Sequence, residues 1–194
     1  MMTINRWKNQ WGESRSLTFN KYGMKEPINA LSSLLMGIYV LYDIYYTNIT
    51  INKLLKLSIA INLFSSFIAH ATYNQLAILF DGMSMVFPII ILAIYYNNYG
   101  IALLLFFLML QHTSIGFVIG LLYILYISKN KIIKVINTNN IMCASVLIII
   151  STIGWFIDQN TNLTKRYWFV NLHSLWHIGC AYGLLMVIDN IIWN

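Results

Sequence analysis

The sequence predicts an all-α membrane protein, a polytopic bundle of seven transmembrane helices. Two observations support this fold class. Of the 194 residues, 59% are hydrophobic and only 9% are charged, whereas soluble domains carry about 25% charged residues. The hydrophobic residues also form long apolar segments separated by short polar connections, which is the pattern of a multi-pass membrane protein.

Seven apolar segments divide the chain into the predicted spans. A helix perpendicular to the membrane needs about 20 residues to cross the hydrocarbon core. The fourth and fifth segments are shorter than that, and a tight turn predicted at 111–113 separates them, so six spans remain an alternative. The predicted spans cover residues 29–46, 54–72, 77–96, 100–111, 114–128, 141–157 and 168–192.

The predicted domain organisation is a polar N-terminal segment, 1–28, followed by one seven-helix domain, 29–194. The connections between spans are too short to form a soluble domain. The N-terminal residues are polar, so we expect no cleavable signal peptide, and the first span would serve as the insertion signal. In a eukaryotic cell the expected location is the endoplasmic reticulum or Golgi membrane.

The charge pattern argues against nucleic acid as a binding partner. The formal net charge is +6, but the basic residues are spread over both membrane ends and form no dense cluster. We therefore expect contact with the lipid bilayer and its anionic headgroups, and no nucleic-acid binding. The even spread also leaves the orientation of the protein in the membrane open.

The unusual polar residues of five spans fall at one membrane end if successive spans alternate in direction. This is the end at which the first span begins, and we call it side A. Ionisable residues at membrane depth are costly and usually face the interior of the bundle at a functional site. The residues are Glu26, Asn29 and Ser32 of the first span, Ser66 and His70 of the second, Asp81 of the third, Asp158 of the sixth, and His173 and His177 of the seventh.

A pair of histidines in the last span has the spacing of metal ligands. His173 and His177 are four residues apart, so on a helix they share one face with their Cβ atoms about 5–6 Å apart. Two imidazoles at that spacing suit a single metal ion. Taken alone, such a pair is more often two histidines that form hydrogen bonds inside a bundle or face the headgroups.

The second span supplies a third candidate ligand. Asn62, Ser66 and His70 are spaced by four residues and form one polar stripe on an otherwise apolar helix. His70 would then complete a set of three histidines at side A. Three histidines with an open fourth position are typical of catalytic zinc sites. An all-nitrogen set suits Zn²⁺, with other transition metals left open.

The order and spacing of these residues resemble the alkaline ceramidase family, which belongs to a wider superfamily with the progestin and adipoQ receptors. The resemblance covers most of the chain, and the combination of blocks is specific although each block alone is not. The blocks are Glu26-x-x-Asn29-x-x-Ser32, Ser66-x-x-x-His70 with Asp81, Trp155-x-Ile-Asp158 and His173-x-x-Trp-His177.

The resemblance implies an intramembrane hydrolase that cleaves the amide bond of ceramide-like lipids to a sphingoid base and a fatty acid. Zn²⁺ on His70, His173 and His177 would make its bound water acidic enough to supply hydroxide near neutral pH. Asp81 would accept a proton from that water and pass it to the leaving amine. Ser66 would hydrogen-bond the water or the developing oxyanion. The lipid would enter laterally from the bilayer.

The chain departs from the family pattern at two places. The family often has Asp-Glu-x-Pro-Met where this chain has Asp81-Gly-Met-Ser-Met85. Its N-terminal acidic block, which binds Ca²⁺ in some members, is reduced here to Glu13 close to Arg15. Calcium needs six or more oxygen ligands. Glu13 and Glu26 could contribute two of them, so a calcium site is doubtful.

Three other functions remain open at this point. The same metal core could serve an adipoQ-receptor-like lipid-sensing protein, although this chain has a short N-terminus and almost no C-terminal tail for coupling to partners. It could also serve a hydrolase of another membrane lipid. A small transporter would need a continuous polar path, whereas the polar residues here gather at one membrane end.

Overall fold

The protein is all-helical in the part of the chain that the structure, a computed structural model, describes. The described residues are 26–72, 74–111, 115–117, 119–120, 122–123, 126, 139–160 and 172–191. None of these residues lies in a strand, and those outside helices form short connections and turns. The all-α prediction is therefore confirmed for these residues.

The described helices follow the predicted apolar segments closely. Among the described residues, three stretches are long and apolar enough to cross a membrane, namely Pro27–Tyr46, Thr50–Thr72 and Gln75–Tyr95. Two shorter apolar helices lie at Tyr99–Gln111 and Met142–Ile157. These lengths indicate a membrane-associated protein. The helices are α1 Pro27–Tyr46, α2 Thr50–Thr72, α3 Gln75–Ser84, α4 Phe87–Tyr95, α5 Tyr99–Gln111, α6 Asn139–Asn160 and α7 Leu172–Ile191.

The third predicted span is not one unbroken helix. A turn at Met85 and Val86 separates α3 from α4. Pro88, in the first turn of α4, has no backbone N–H, and in a continuous helix its ring would collide with the carbonyl of Ser84, four residues earlier. The predicted span 77–96 therefore corresponds to a stretch of membrane length, Gln75–Tyr95, that consists of two short helices. The predicted fifth span is described only in part, and its described residues are helical.

Polar contacts join α1 and α2 at both ends. The backbone N–H of Glu26 donates to the carbonyl of His70 at 3.0 Å, which places the start of α1 beside the end of α2. At the opposite end the buried Lys56 ammonium forms ion pairs of 2.6 Å with Asp43 of α1 and Asp189 of α7. Such pairing makes a buried lysine tolerable among apolar helices. These contacts fix α1, α2 and α7 relative to one another.

Close helix packing holds α7, which carries two of the candidate ligands. One hydrophobic cluster fills the space between α1, α2 and α7 and includes Val40, Ile59 and Leu185. On its other side α7 lies directly against α6. A Cβ atom added at Gly183 would lie 2.6 Å from Cγ1 of Ile148. Glycine at this interface therefore allows the two helix backbones to approach each other closely.

Candidate metal centre

Three buried histidines from two helices meet at side A. His70 lies near the end of α2, and His173 and His177 lie in the first two turns of α7. One ring nitrogen of each lies within 4.8 Å of those of the other two, and the ring centroids are 4.8–5.2 Å apart. All three side chains are at most 6% exposed. The predicted grouping is confirmed, and the cluster could hold a metal ion.

The hydrogen bonds of His177 leave Nε2 available as a ligand. Nδ1 lies 2.9 Å from Oγ of Ser33 and 3.2 Å from Oγ of Ser32. Both hydroxyls also contact the carbonyl of Asn29, to which they can donate. With the hydroxyls donating there, Nδ1 of His177 donates to them and Nε2 keeps the lone pair that a metal ligand needs.

His70 is oriented in the same way by a carboxylate. Its Nδ1 lies 2.5 Å from Oε2 of Glu26, a side chain with no exposed surface. Oε2 of Glu26 also accepts from Nδ2 of Asn29 at 3.1 Å. A carboxylate on Nδ1 fixes the ring and strengthens Nε2 as a ligand, an arrangement that recurs around protein-bound zinc.

The donor set fits a transition metal. Nitrogen atoms around a tetrahedral Zn²⁺ lie about 3.4 Å apart, so small side-chain movements would bring the three ligand nitrogens onto one ion. Histidines provide all of the grouped ligands, and a neutral nitrogen set favours Zn²⁺ and similar metals over Mg²⁺ or Ca²⁺. Glu26, the candidate calcium ligand, instead contacts His70, and Glu13 lies outside the described residues.

Ser66 and Asp81 lie beside the histidines as the sequence predicts. Ser66 lies one turn before His70 on α2, and its Oγ is 3.4 Å from Nε2 of His177. The Ser66 hydroxyl also lies near the Asp81 carboxylate and interacts with it electrostatically. Ser66 therefore lies between the carboxylate on α3 and the histidine cluster.

Two tryptophans cover the cluster on the α6 side. The Trp176 ring lies 5.9 Å from that of His173, and the Trp155 ring lies 5.9 Å from that of Trp176. Trp155 belongs to the Trp-x-Ile-Asp158 block. Asp158 itself lies in α6, but its side chain is outside the described part of the chain. The tryptophans give this side of the centre an apolar wall.

Ser33 is a site residue that the sequence reasoning missed. The site residues predicted in the first span are Glu26, Asn29 and Ser32, whereas Ser33 makes the shorter contact with His177. A signal was present, because Ser33 follows Asn29 by four residues and both therefore lie on one face of α1. The role of Glu26 as the partner of His70 was also not predicted.

Replacing Glu26 with Gln is expected to weaken zinc binding at least about 10-fold, within the 10–100-fold range typical of residues that orient a metal ligand. Gln can still accept from Nδ1 of His70 but lacks the charge. A competition titration with a chromophoric chelator measures the affinity. Asp43→Asn, the same chemical change at the far end of α1, should leave zinc affinity unaltered. Equal affinities in wild type and Glu26→Gln would show that the carboxylate charge does not support His70.

The chain matches no protein-family model, no curated protein and no solved structure.

Proposed function

We propose that this protein is a zinc-dependent intramembrane hydrolase that cleaves the amide bond of ceramide-like sphingolipids to a sphingoid base and a fatty acid. The observation that carries the proposal is the buried cluster of His70, His173 and His177 with Ser66 and Asp81 beside it. The proposal includes a seven-span bundle, in which α3 and α4 form the third span and residues 114–128 the fifth.

The three histidines would bind the metal and leave one position open. His70 and His177 both present Nε2, because their Nδ1 atoms are engaged by Glu26 and Ser33. Zn²⁺ held by three histidines supplies a Lewis acid that activates water toward an amide carbonyl. Burial of the cluster excludes bulk water and strengthens the polar interactions inside it.

Asp81 would move the proton. One of its carboxylate oxygens takes a proton from the attacking water, and the water oxygen forms a bond with the carbonyl carbon of the amide. The same carboxyl group then donates that proton to the amide nitrogen as the carbon–nitrogen bond breaks. The products are a fatty acid and a free amine, so that one water molecule is consumed for each amide cleaved.

Ser66 would stabilise the negative charge that develops on the amide oxygen. Its hydroxyl lies close to both the metal-binding nitrogen of His177 and the Asp81 carboxylate. With an amide bound beside the histidines, the hydroxyl would turn to donate to its carbonyl oxygen. A fixed donor at that place stabilises the transition state more than the ground state.

The location of the cluster favours a lipid substrate. The helices α1 and α2 are both long and apolar enough to cross a membrane, and α2 carries His70 and Ser66. Their outer faces bear exposed large apolar side chains, including Leu35, Ile38, Ile61 and Ile68. An amide group that reaches a centre buried among such helices is best carried by a molecule that already resides in the bilayer.

The direct test is incubation of the purified, zinc-loaded protein with ceramides, followed by mass spectrometry of the products. We expect sphingoid base and fatty acid in equal amounts, and neither product from the His173→Ala variant. Untargeted lipidomics of expressing cells tests other membrane lipids at the same time. If the protein bound zinc but left ceramides and related N-acyl lipids intact, the proposal would be wrong, and another consumed lipid would favour a different hydrolase.

A further inference from the structure

Side-chain hydrogen bonds between α2 and α3 hold Asp81 on the side away from Ser66. Asn62 donates from Nδ2 to Oγ of Ser84 at 2.9 Å, to the backbone oxygen of Asp81 at 3.2 Å and to its Oδ1 at 3.4 Å. The Ser84 hydroxyl donates to the same backbone oxygen at 2.8 Å. Oγ of Ser65 lies 2.9 Å from Oγ of Ser84 and completes the set. Ser65 and Ser84 are almost entirely buried.

These contacts matter because α3 is a short helix. It ends at Ser84, three residues after Asp81, where Pro88 interrupts the span. The continuous part of the helix therefore fixes Asp81 only from its N-terminal side. Among the described helices α3 packs mainly against α2, so the Asn62 and Ser84 side chains are the specific contacts that set the position of Asp81.

One member of this hydrogen-bonded set, Ser84, lies at a position where the chain departs from the ceramidase-like sequence pattern. Ser84 stands where that pattern, Asp-Glu-x-Pro-Met, has proline, and a proline has no side-chain donor or acceptor. Asn62 lies one turn before Ser66 on α2. The two residues therefore reach Asp81 from neighbouring turns of the same helix, Ser66 from the turn nearer the histidines and Asn62 from the turn farther from them.

We propose that Asn62, together with Ser84, is a positioning residue that turns the Asp81 carboxylate toward the histidine cluster. The inference rests on the amide hydrolysis proposed above. Among the described residues the Asn62 amide donates to Asp81 and Ser84, so we expect its effect on catalysis to pass through Asp81. Asn62 donates to the carboxylate from one turn of α2, and Ser66 lies near it on the next turn, so both restrict its rotation. Away from bulk water no solvent competes for these donors.

A double-mutant cycle tests the inference. Wild type, Asn62→Ala, Asp81→Asn and the double variant are purified with zinc, and kcat, KM and zinc content are measured with ceramide. We expect Asn62→Ala to lower kcat about 10–100-fold, the range for residues that orient a functional group, with KM and zinc content unchanged. The double variant should be no slower than Asp81→Asn, because Asn62 acts only through the carboxylate.

Two further variants separate positioning from general stability. Ser58 is buried in α2, one turn before Asn62, and its hydroxyl donates only to its own helix, at the carbonyl of Leu55, so Ser58→Ala should keep the wild-type kcat. Ser84→Ala removes a single hydroxyl from the set and serves if Asn62→Ala folds poorly. It should also lower kcat, and it should add nothing in the Asp81→Asn background.

Several outcomes would overturn the inference. They are a wild-type kcat in Asn62→Ala, or effects of Asn62→Ala and Asp81→Asn that multiply in the double variant. If the wild type does not cleave ceramide at all, the proposed function fails separately. The unfolding midpoints of the same four proteins are then measured. If the loss of stability in the double variant differs from the sum of the two single losses, Asn62 and Asp81 are linked. If the losses add, the link is rejected.

Discussion

Replacing Asp81 with Asn is expected to lower kcat for ceramide hydrolysis about 10²–10⁴-fold, the range typical of losing a general acid–base group. The amide keeps the size of the carboxylate and can still accept from Asn62, but it cannot take a proton from water. The zinc content should stay at the wild-type level, because Asp81 is not among the grouped ligands. The rate of sphingoid base release gives kcat, and elemental analysis of the same sample gives the zinc content.

Asp189→Asn is the matched control for this prediction. It makes the same chemical change on α7, but at the end that carries the ion pairs with Lys56, and Lys56 keeps Asp43 as a partner. Its kcat should stay near wild type. An Asp81→Asn variant with wild-type kcat would contradict the assignment of Asp81 as the proton acceptor. Loss of zinc in that variant would indicate that Asp81 is a ligand instead.

Replacing His70 with Ala is expected to remove both ceramide hydrolysis and stabilisation by zinc. A metal that binds only the folded protein stabilises it by mass action, by about 2.7 kcal/mol when its free concentration is 100 times Kd. His70 is the ligand that joins α2 to the pair on α7. Without it, two histidines remain, and the thermal unfolding midpoint should no longer rise at zinc concentrations that saturate the wild type.

His112→Ala is the control for this second prediction. The chain has four histidines, and His112, which lies outside the described residues, is the one that the sequence places in a predicted turn between two spans. This variant should respond to zinc as the wild type does. If zinc raised the thermal unfolding midpoint of His70→Ala as much as that of the wild type, a centre that needs all three histidines would be contradicted.

The helices and the grouping of the three histidines were predictable from the sequence for simple physical reasons. Apolar segments of membrane length define α1 and α2 to within a few residues. The spacing of His173 and His177 puts them on one face of a helix. Alternating span directions then bring His70 to the same membrane end. These arguments need only chain length and helical periodicity, and both are properties of the sequence itself.

The side-chain contacts between helices depend on how the helices pack, and the periodicity of the sequence does not predict this packing. The contact of Glu26 with His70 and the ion pairs of Lys56 depend on how each helix is rotated about its axis against its neighbours. The Asn62 stripe was visible, but its partner Ser84 lies on another helix. The break between α3 and α4 has a local signal in Pro88, which lies within an apolar run long enough to cross a membrane.

Elemental analysis of the wild-type protein, purified in detergent without chelators, tests the zinc centre most directly. A centre formed by His70, His173 and His177 predicts about one zinc per chain in the wild type and close to none in His173→Ala. A folded wild-type protein that holds no transition metal, even after incubation with zinc, would contradict the metal centre and with it the proposed hydrolysis.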